Sequence, residues 1–125
     1  MKTSTKVVLG IIVLAAVVAI FYSSRAPAEP GKYDALAQCI TDSGAKMYGA
    51  YSCPHCTNQK KLFGTSFDKI NYVECDPRGD NANPQACEKA GIEGYPTWIF
   101  GDGTRRSGEV PLRTLASITG CAVPE

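Results

Sequence analysis

Two cysteines stand two residues apart in Cys53-Pro54-His55-Cys56. Thiols at that spacing trade a dithiol for a disulfide with little backbone movement, by attack of a thiolate on a disulfide sulfur. Metal binding is the competing chemistry. A closed structural zinc site needs four ligands. The other cysteines, Cys39, Cys75, Cys87 and Cys121, form no second pair of this spacing, and the one histidine, His55, lies inside the motif. Zinc is therefore set aside and no metal ligands are assigned. Copper(I) is satisfied by two soft thiolates, so a copper(I) site on Cys53 and Cys56 stays open beside disulfide exchange.

The flanking residues supply the elements that must hold this pair. Upstream, the mixed apolar run from Lys46 to Ser52 predicts a strand. Downstream, Thr57 to Phe63 predicts a helix that begins at the motif and stops at Gly64. Cys53 then sits at a helix N-terminus, where unpaired N–H groups and the positive dipole end favour a thiolate. Pro54 suits the first helical turn, because its missing N–H has no partner there. A protonated His55 adds a second positive neighbour. Cys56, one turn in, is expected to be the more buried thiol.

At 125 residues the chain has room for one domain. A net charge of +1 gives no reason to expect a nucleic-acid partner. Six cysteines in so short a chain point to an oxidising compartment. Lys2 and Lys6 precede an uncharged apolar stretch, residues 7–24. As a helix it would span about 27 Å, close to the thickness of a bilayer's hydrocarbon core. The expected organisation is a cytoplasmic N-terminus (1–6), a transmembrane signal anchor (7–24), a Pro- and Gly-containing linker (25–31) and a domain (32–125). The lysines place that domain outside the cytoplasm, in a periplasm or its equivalent. The alternative is a secreted domain released by cleavage near Ala26-Pro27-Ala28.

Within the domain, Tyr33, Leu36, Cys39 and Ile40 recur at helical spacing, and Gly44 ends the pattern. Lys69 to Cys75 alternates in part and predicts a second strand. Asn83 and Pro84 open a short helix that Gly91 stops. Thr97 to Phe100 predicts a strand, Gly101-Asp102-Gly103 a turn, and Thr104 to Ser107 a returning strand. Pro111 opens a last helix with Leu112, Leu115 and Ile118 or Thr119 facing inward, closed by Gly120. The other four cysteines are expected to form structural disulfides. With Cys53 paired to Cys56, the favoured connectivity is Cys75–Cys87, closing a short loop, and Cys39–Cys121, stapling the ends of the domain. A relay role for Cys75–Cys87 is the alternative.

From Tyr33 to Cys121 this order, with Cys53-Pro54-His55-Cys56 and Tyr95-Pro96-Thr97, resembles the thioredoxin superfamily. The resemblance implies an α/β thioredoxin-like fold, a central mixed sheet flanked by helices. In that superfamily the second motif carries a cis-proline facing the two cysteines, so Tyr95, Pro96 and Thr97 are implied to line the substrate groove. Met47-Tyr48-Gly49-Ala50, the run Asn71 to Asp76 and the run Gly91 to Trp98 look like the thioredoxin-like domain fused to bacterial vitamin K epoxide reductase homologues. The Cys-Pro-His-Cys sequence is similar to that of the periplasmic disulfide-oxidase (Dsb) family. In the fusions the soluble domain exchanges disulfides with a quinone-linked membrane enzyme. Here one apolar segment stands where they have several, so that enzyme is expected to be a separate polypeptide or absent.

Ordinary thioredoxins carry an acidic residue six positions before the first motif cysteine, where this chain has Met47. Without that carboxylate the Cys53 thiolate is less opposed, and the disulfide is the more oxidising. The expected protein is an anchored thiol–disulfide oxidoreductase with Cys53 and Cys56 as reacting groups, modulated by Pro54 and His55. Its expected partners are cysteine-containing exported proteins and a vitamin K epoxide reductase-type membrane protein, with no cofactor. An extracytoplasmic reductase or isomerase is the alternative within the same chemistry.

Overall fold

In the computed structural model, which describes residues 4–23 and 30–125, a four-stranded mixed sheet carries the domain. Its strands are β1 (Lys46–Gly49), β2 (Tyr72–Glu74), β3 (Thr97–Ile99) and β4 (Arg105–Ser107), in the spatial order β2-β1-β3-β4. The helices are α1 (Thr5–Ser23), α2 (Asp34–Asp42), α3 (Pro54–Phe63), α4 (Pro84–Lys89) and α5 (Leu112–Thr119), with a 3-10 turn, Gly64–Lys69, following α3. β1 and β2 are parallel, and such a pair needs a crossover, which α3 and the 3-10 turn supply. β3 runs antiparallel to β1 and to β4, and a tight turn over Gly101-Asp102-Gly103 joins it to β4.

Adjacent residues of a strand point to opposite faces of the sheet, and Met47 and Tyr48 divide the interior accordingly. Met47 packs in the larger core with Trp98, Phe63 and Cys56, together with Leu36 and Ile40 of α2 and Leu115 of α5. Tyr48 packs on the other face with Cys75 and Cys87, where α4 lies. Helices therefore cover both faces. Cys39 of α2 is bonded to Cys121 just beyond α5, with S–S 2.09 Å and Cα–Cα 6.0 Å. Cys75 is bonded to Cys87, with S–S 2.02 Å and Cα–Cα 5.8 Å.

α1 is long and apolar enough to cross a membrane, and none of its residues is buried. Residues 1–3 of the expected N-terminal segment, residue 24 of the expected anchor, residues 25–29 of the expected linker and the Ala26-Pro27-Ala28 cleavage alternative lie outside the described residues. From Gly31 onward the chain is tied to the domain. The Gly31 N–H donates to the Asp34 carboxylate (3.0 Å), and the Tyr33 N–H donates to the Ser66 hydroxyl (3.0 Å).

The element order from α2 onward is the predicted one, but boundaries differ for physical reasons. β1 ends at Gly49 rather than Ser52, because the Cys53 N–H bonds back to the Ala50 carbonyl (3.1 Å) and closes a turn. β2 begins at Tyr72 rather than Lys69, because residues 64–69 wind into the 3-10 turn, whose Phe67 carbonyl takes the Ile70 N–H (2.9 Å). α5 starts at Leu112, with Pro111 as its cap, and it buries Leu115 and Ala116 while Leu112 and Ile118 stay partly exposed.

Candidate active site

β1 brings the chain to the molecular surface at Ala50, and the turn that follows aims Cys53 into the N-cap position of α3. Cys53 has extended backbone angles (φ −87°, ψ 121°), and Pro54 takes the first helical position. No side chain caps this helix start, so its free N–H groups face the Cys53 end. Cys53 is partly exposed, whereas Cys56 is fully buried, and the two are free thiols in this structure.

Cys56 lies against the sheet. Its sulfur accepts the Ala50 N–H at 3.5 Å. Burial, reinforced by its hydrogen bond and charge interaction with Cys53, pushes its thiol up to about 11, while the Ala50 N–H and the Lys60 ammonium act the other way. The pair is thus asymmetric: one sulfur is open to a partner and the other is held as a protonated thiol behind it.

The second motif stands over Cys53. The Cys53 thiol points to the Tyr95 carbonyl oxygen at 3.7 Å. The Tyr95–Pro96 peptide bond is cis. Tyr95 remains exposed, Pro96 is fully buried, and Thr97 is buried with its hydroxyl donating to the Gly94 carbonyl (2.7 Å). His55 projects into solvent, and its Nδ1 lies 3.2 Å from the Glu109 carboxylate. Cys53, Pro54, His55, Cys56, Tyr95, Pro96 and Thr97 are therefore one cluster. Cys121, bonded to Cys39, packs against the same core as Cys56, whereas Cys75–Cys87 is buried across the sheet from Cys56.

Several residues that shape this cluster were not singled out by the sequence. The buried Glu74 carboxylate accepts the N–H groups of Tyr51 (3.2 Å) and Asp76 (2.9 Å) through Oε1, and the Tyr72 hydroxyl (2.8 Å) through Oε2. The Ser52 hydroxyl donates to Asp76 (3.2 Å), which Arg78 grips through Nε (3.0 Å) and Nη2 (2.8 Å). Arg78 holds the Asp76 carboxyl well below the usual carboxylate range. Tyr51 and Ser52, just before Cys53, are thus pinned from the end of β2. Burial, with the Glu74 carboxylate beside it, pushes the Tyr72 phenol above its usual range. Lys60 places its ammonium 4.0 Å from the Tyr72 ring centroid. One signal for Glu74 was present: it is two residues from Tyr72 on a strand and so shares its face.

No family model matches the chain. Among curated proteins, the thiol-disulfide oxidoreductase LTO1 of Arabidopsis thaliana is 46% identical to it over 95 residues. The match covers 73% of this chain and 25% of the plant protein, so the chain spans about a quarter of that relative's length. That relative is named for the reaction that a partly exposed thiol backed by a buried one can perform.

Proposed function

We propose that the chain is a thiol–disulfide oxidoreductase of thioredoxin-like fold, anchored by α1 with its domain outside the cytoplasm. The observation that carries this reading is the unequal pair at the start of α3, with Cys53 partly exposed at the N-cap and Cys56 buried with its thiol pushed up to about 11. In the oxidised form a substrate thiolate attacks Cys53, the sulfur it can reach. A mixed disulfide forms and Cys56 leaves. A second substrate thiol then resolves the mixed disulfide and takes the new disulfide away. Tyr95, Pro96 and Thr97 form the wall against which the substrate backbone docks. Cys75–Cys87 and Cys39–Cys121 serve as structural staples.

The working direction is oxidation of cysteine-containing exported proteins, with the pair restored by a quinone-linked membrane partner of the vitamin K epoxide reductase type. Support comes from the helix N-terminus at Cys53 and from Met47, fully buried, in the position of the thioredoxin carboxylate. Both favour the reduced pair and so a strong oxidant. The test is a Cys56→Ala variant with thiol trapping, beside equilibration of the wild-type chain with glutathione. The expected results are trapped exported proteins on Cys53 and a potential more positive than the roughly −270 mV of thioredoxin. A potential at or below that value with no trapped species would remove the oxidase reading.

A further inference from the structure

Cys56 must lose and regain a proton in every exchange cycle, yet its side chain is fully buried. β1 offers no titratable group on this face, where its residues are Met47 and Gly49. β2 supplies one. A Cβ placed on Gly49 would meet the Cys56 sulfur at 2.8 Å, the Tyr72 ring edge at 3.1 Å and the Tyr72 hydroxyl at 3.3 Å. Thiol and phenol thus both crowd the position where residue 49, a glycine, has no side chain. The Tyr72 hydroxyl donates in turn to Glu74 Oε2 at 2.8 Å. Glu74, though buried, lines an open cleft with Tyr51, Lys60, Tyr72, Arg78 and Asp80. Lys60 is one turn beyond Cys56 on α3 and lies over the Tyr72 ring.

We propose that Tyr72, held by Glu74, relays the proton of Cys56 to the solvent cleft, and that Lys60 steadies the Cys56 thiolate while the proton is away. This rests on the reading of Cys53 and Cys56 as the exchanging pair. From the mixed disulfide of Cys53, the Cys56 proton passes to the Tyr72 oxygen as the Tyr72 proton passes to Glu74, so no free phenolate forms. The Cys56 thiolate attacks the Cys53 sulfur. The Cys53–Cys56 bond forms, the bond to the substrate sulfur breaks, and the substrate leaves as a thiolate that takes a proton from water. Glu74 releases its proton into the cleft. One disulfide is consumed and one is made, so no outside oxidant enters. The same steps reversed serve attack on the oxidised pair.

The groups facing Cys56 come from three directions. α3 contributes Cys53 and Lys60, the loop after β1 contributes the Ala50 N–H, and β2 contributes Tyr72 with Glu74 behind it. Farther out, Asp76 is engaged with Arg78 and His55 with Glu109. Burial and Glu74 keep the Tyr72 phenol neutral, as a hydroxyl relay requires, and the Lys60 charge favours the Cys56 thiolate.

The test uses the 125-residue chain in detergent, as wild type and as Tyr72→Phe, Glu74→Gln, Lys60→Met and Lys60→Arg. Oxidised glutathione generates the mixed disulfide on Cys53, and release of glutathione by Cys56 is followed from neutral to strongly alkaline pH. Tyr72→Phe and Glu74→Gln are expected to slow release about a hundredfold near neutrality and to approach wild type in alkali, where hydroxide takes the proton. Alkylation of Cys53 by iodoacetamide should not change in Tyr72→Phe. Lys60→Met should move the alkaline limb to higher pH, and Lys60→Arg should restore it. A wild-type profile in Tyr72→Phe, or equal slowing at every pH, overturns the relay. Should the β2 variants fail to fold, the lysine pair decides, and identical profiles for Lys60→Met and Lys60→Arg overturn the proposal. A wild-type chain that forms no mixed disulfide removes the relay together with the oxidoreductase reading. Normal wild-type exchange with an unmoved Tyr72→Phe profile removes the relay alone.

Discussion

Gln59 and Val110 hold each other by two hydrogen bonds. Gln59 Nε2 donates to the Val110 carbonyl at 2.9 Å, and the Val110 N–H donates to Gln59 Oε1 at 2.7 Å. Trp98 Nε1 donates to the same Oε1 at 3.3 Å. Gln59 is fully buried, so a single amide ties α3 to β3 and to the segment entering α5. Glu109 precedes Val110, and it is this clamp that sets Glu109 beside His55 at the mouth of the site.

Replacing Gln59 by Leu keeps the volume but leaves the Val110 N–H and carbonyl and the Trp98 N–H buried without partners. A buried polar group stripped of its partner costs about 1–3 kcal/mol. We expect Gln59→Leu to lower stability by about 3 kcal/mol in urea denaturation. A midpoint indistinguishable from wild type would mean that the clamp contributes nothing net.

The two disulfides should differ in what they contribute. Cys39–Cys121 links residues 82 apart, and Cys75–Cys87 links residues 12 apart. In the chain-entropy account a larger loop stabilises more, about 4 kcal/mol against about 3. We expect Cys39→Ala with Cys121→Ala to lose more stability than Cys75→Ala with Cys87→Ala, and both double variants to keep exchange with glutathione. A folded Cys75→Ala/Cys87→Ala chain that no longer exchanges would instead make that pair a redox relay.

What could be read from the sequence was what is encoded locally. Cys53 to Cys56 are contiguous, and Pro54 announces the start of α3. Asn83 and Pro84 announce α4, where the Asn83 side chain accepts the Ala86 N–H at 3.2 Å. The 3-10 turn over Gly64–Lys69 has no apolar period to betray it. The supporting residues act across the fold instead. Gln59 stands in the polar run Thr57 to Lys61, which in sequence looks like a solvated helix face. Glu74 and Asp76 look like the charged end of a strand, until the parallel register sets Glu74 opposite Gly49 and turns its carboxylate toward the Tyr51 N–H. Tyr72 shows its β preference in sequence, but its nearness to Cys56 depends on the empty side-chain position at Gly49.

The burial of Cys56 should appear as a pH-dependent loss of stability. Its thiol has an ordinary value of 9.0 and is raised to about 11 in the fold, chiefly by burial. Between those values the folded chain holds the proton more tightly than the unfolded chain does, so stability falls as pH rises. The contribution is fully present below pH 9.0 and is lost as pH passes about 11. Comparing Cys53→Ala with Cys53→Ala/Cys56→Ala isolates it, because Tyr72 titrates in both and its effect cancels to first order. Relative to the double variant, Cys53→Ala should lose up to about 2 kcal/mol across that window, less than the full shift because the part due to Cys53 is gone, measured by urea unfolding at each pH. Parallel stability curves would mean that the Cys56 thiol titrates as freely in the fold as in the unfolded chain, and that water reaches it.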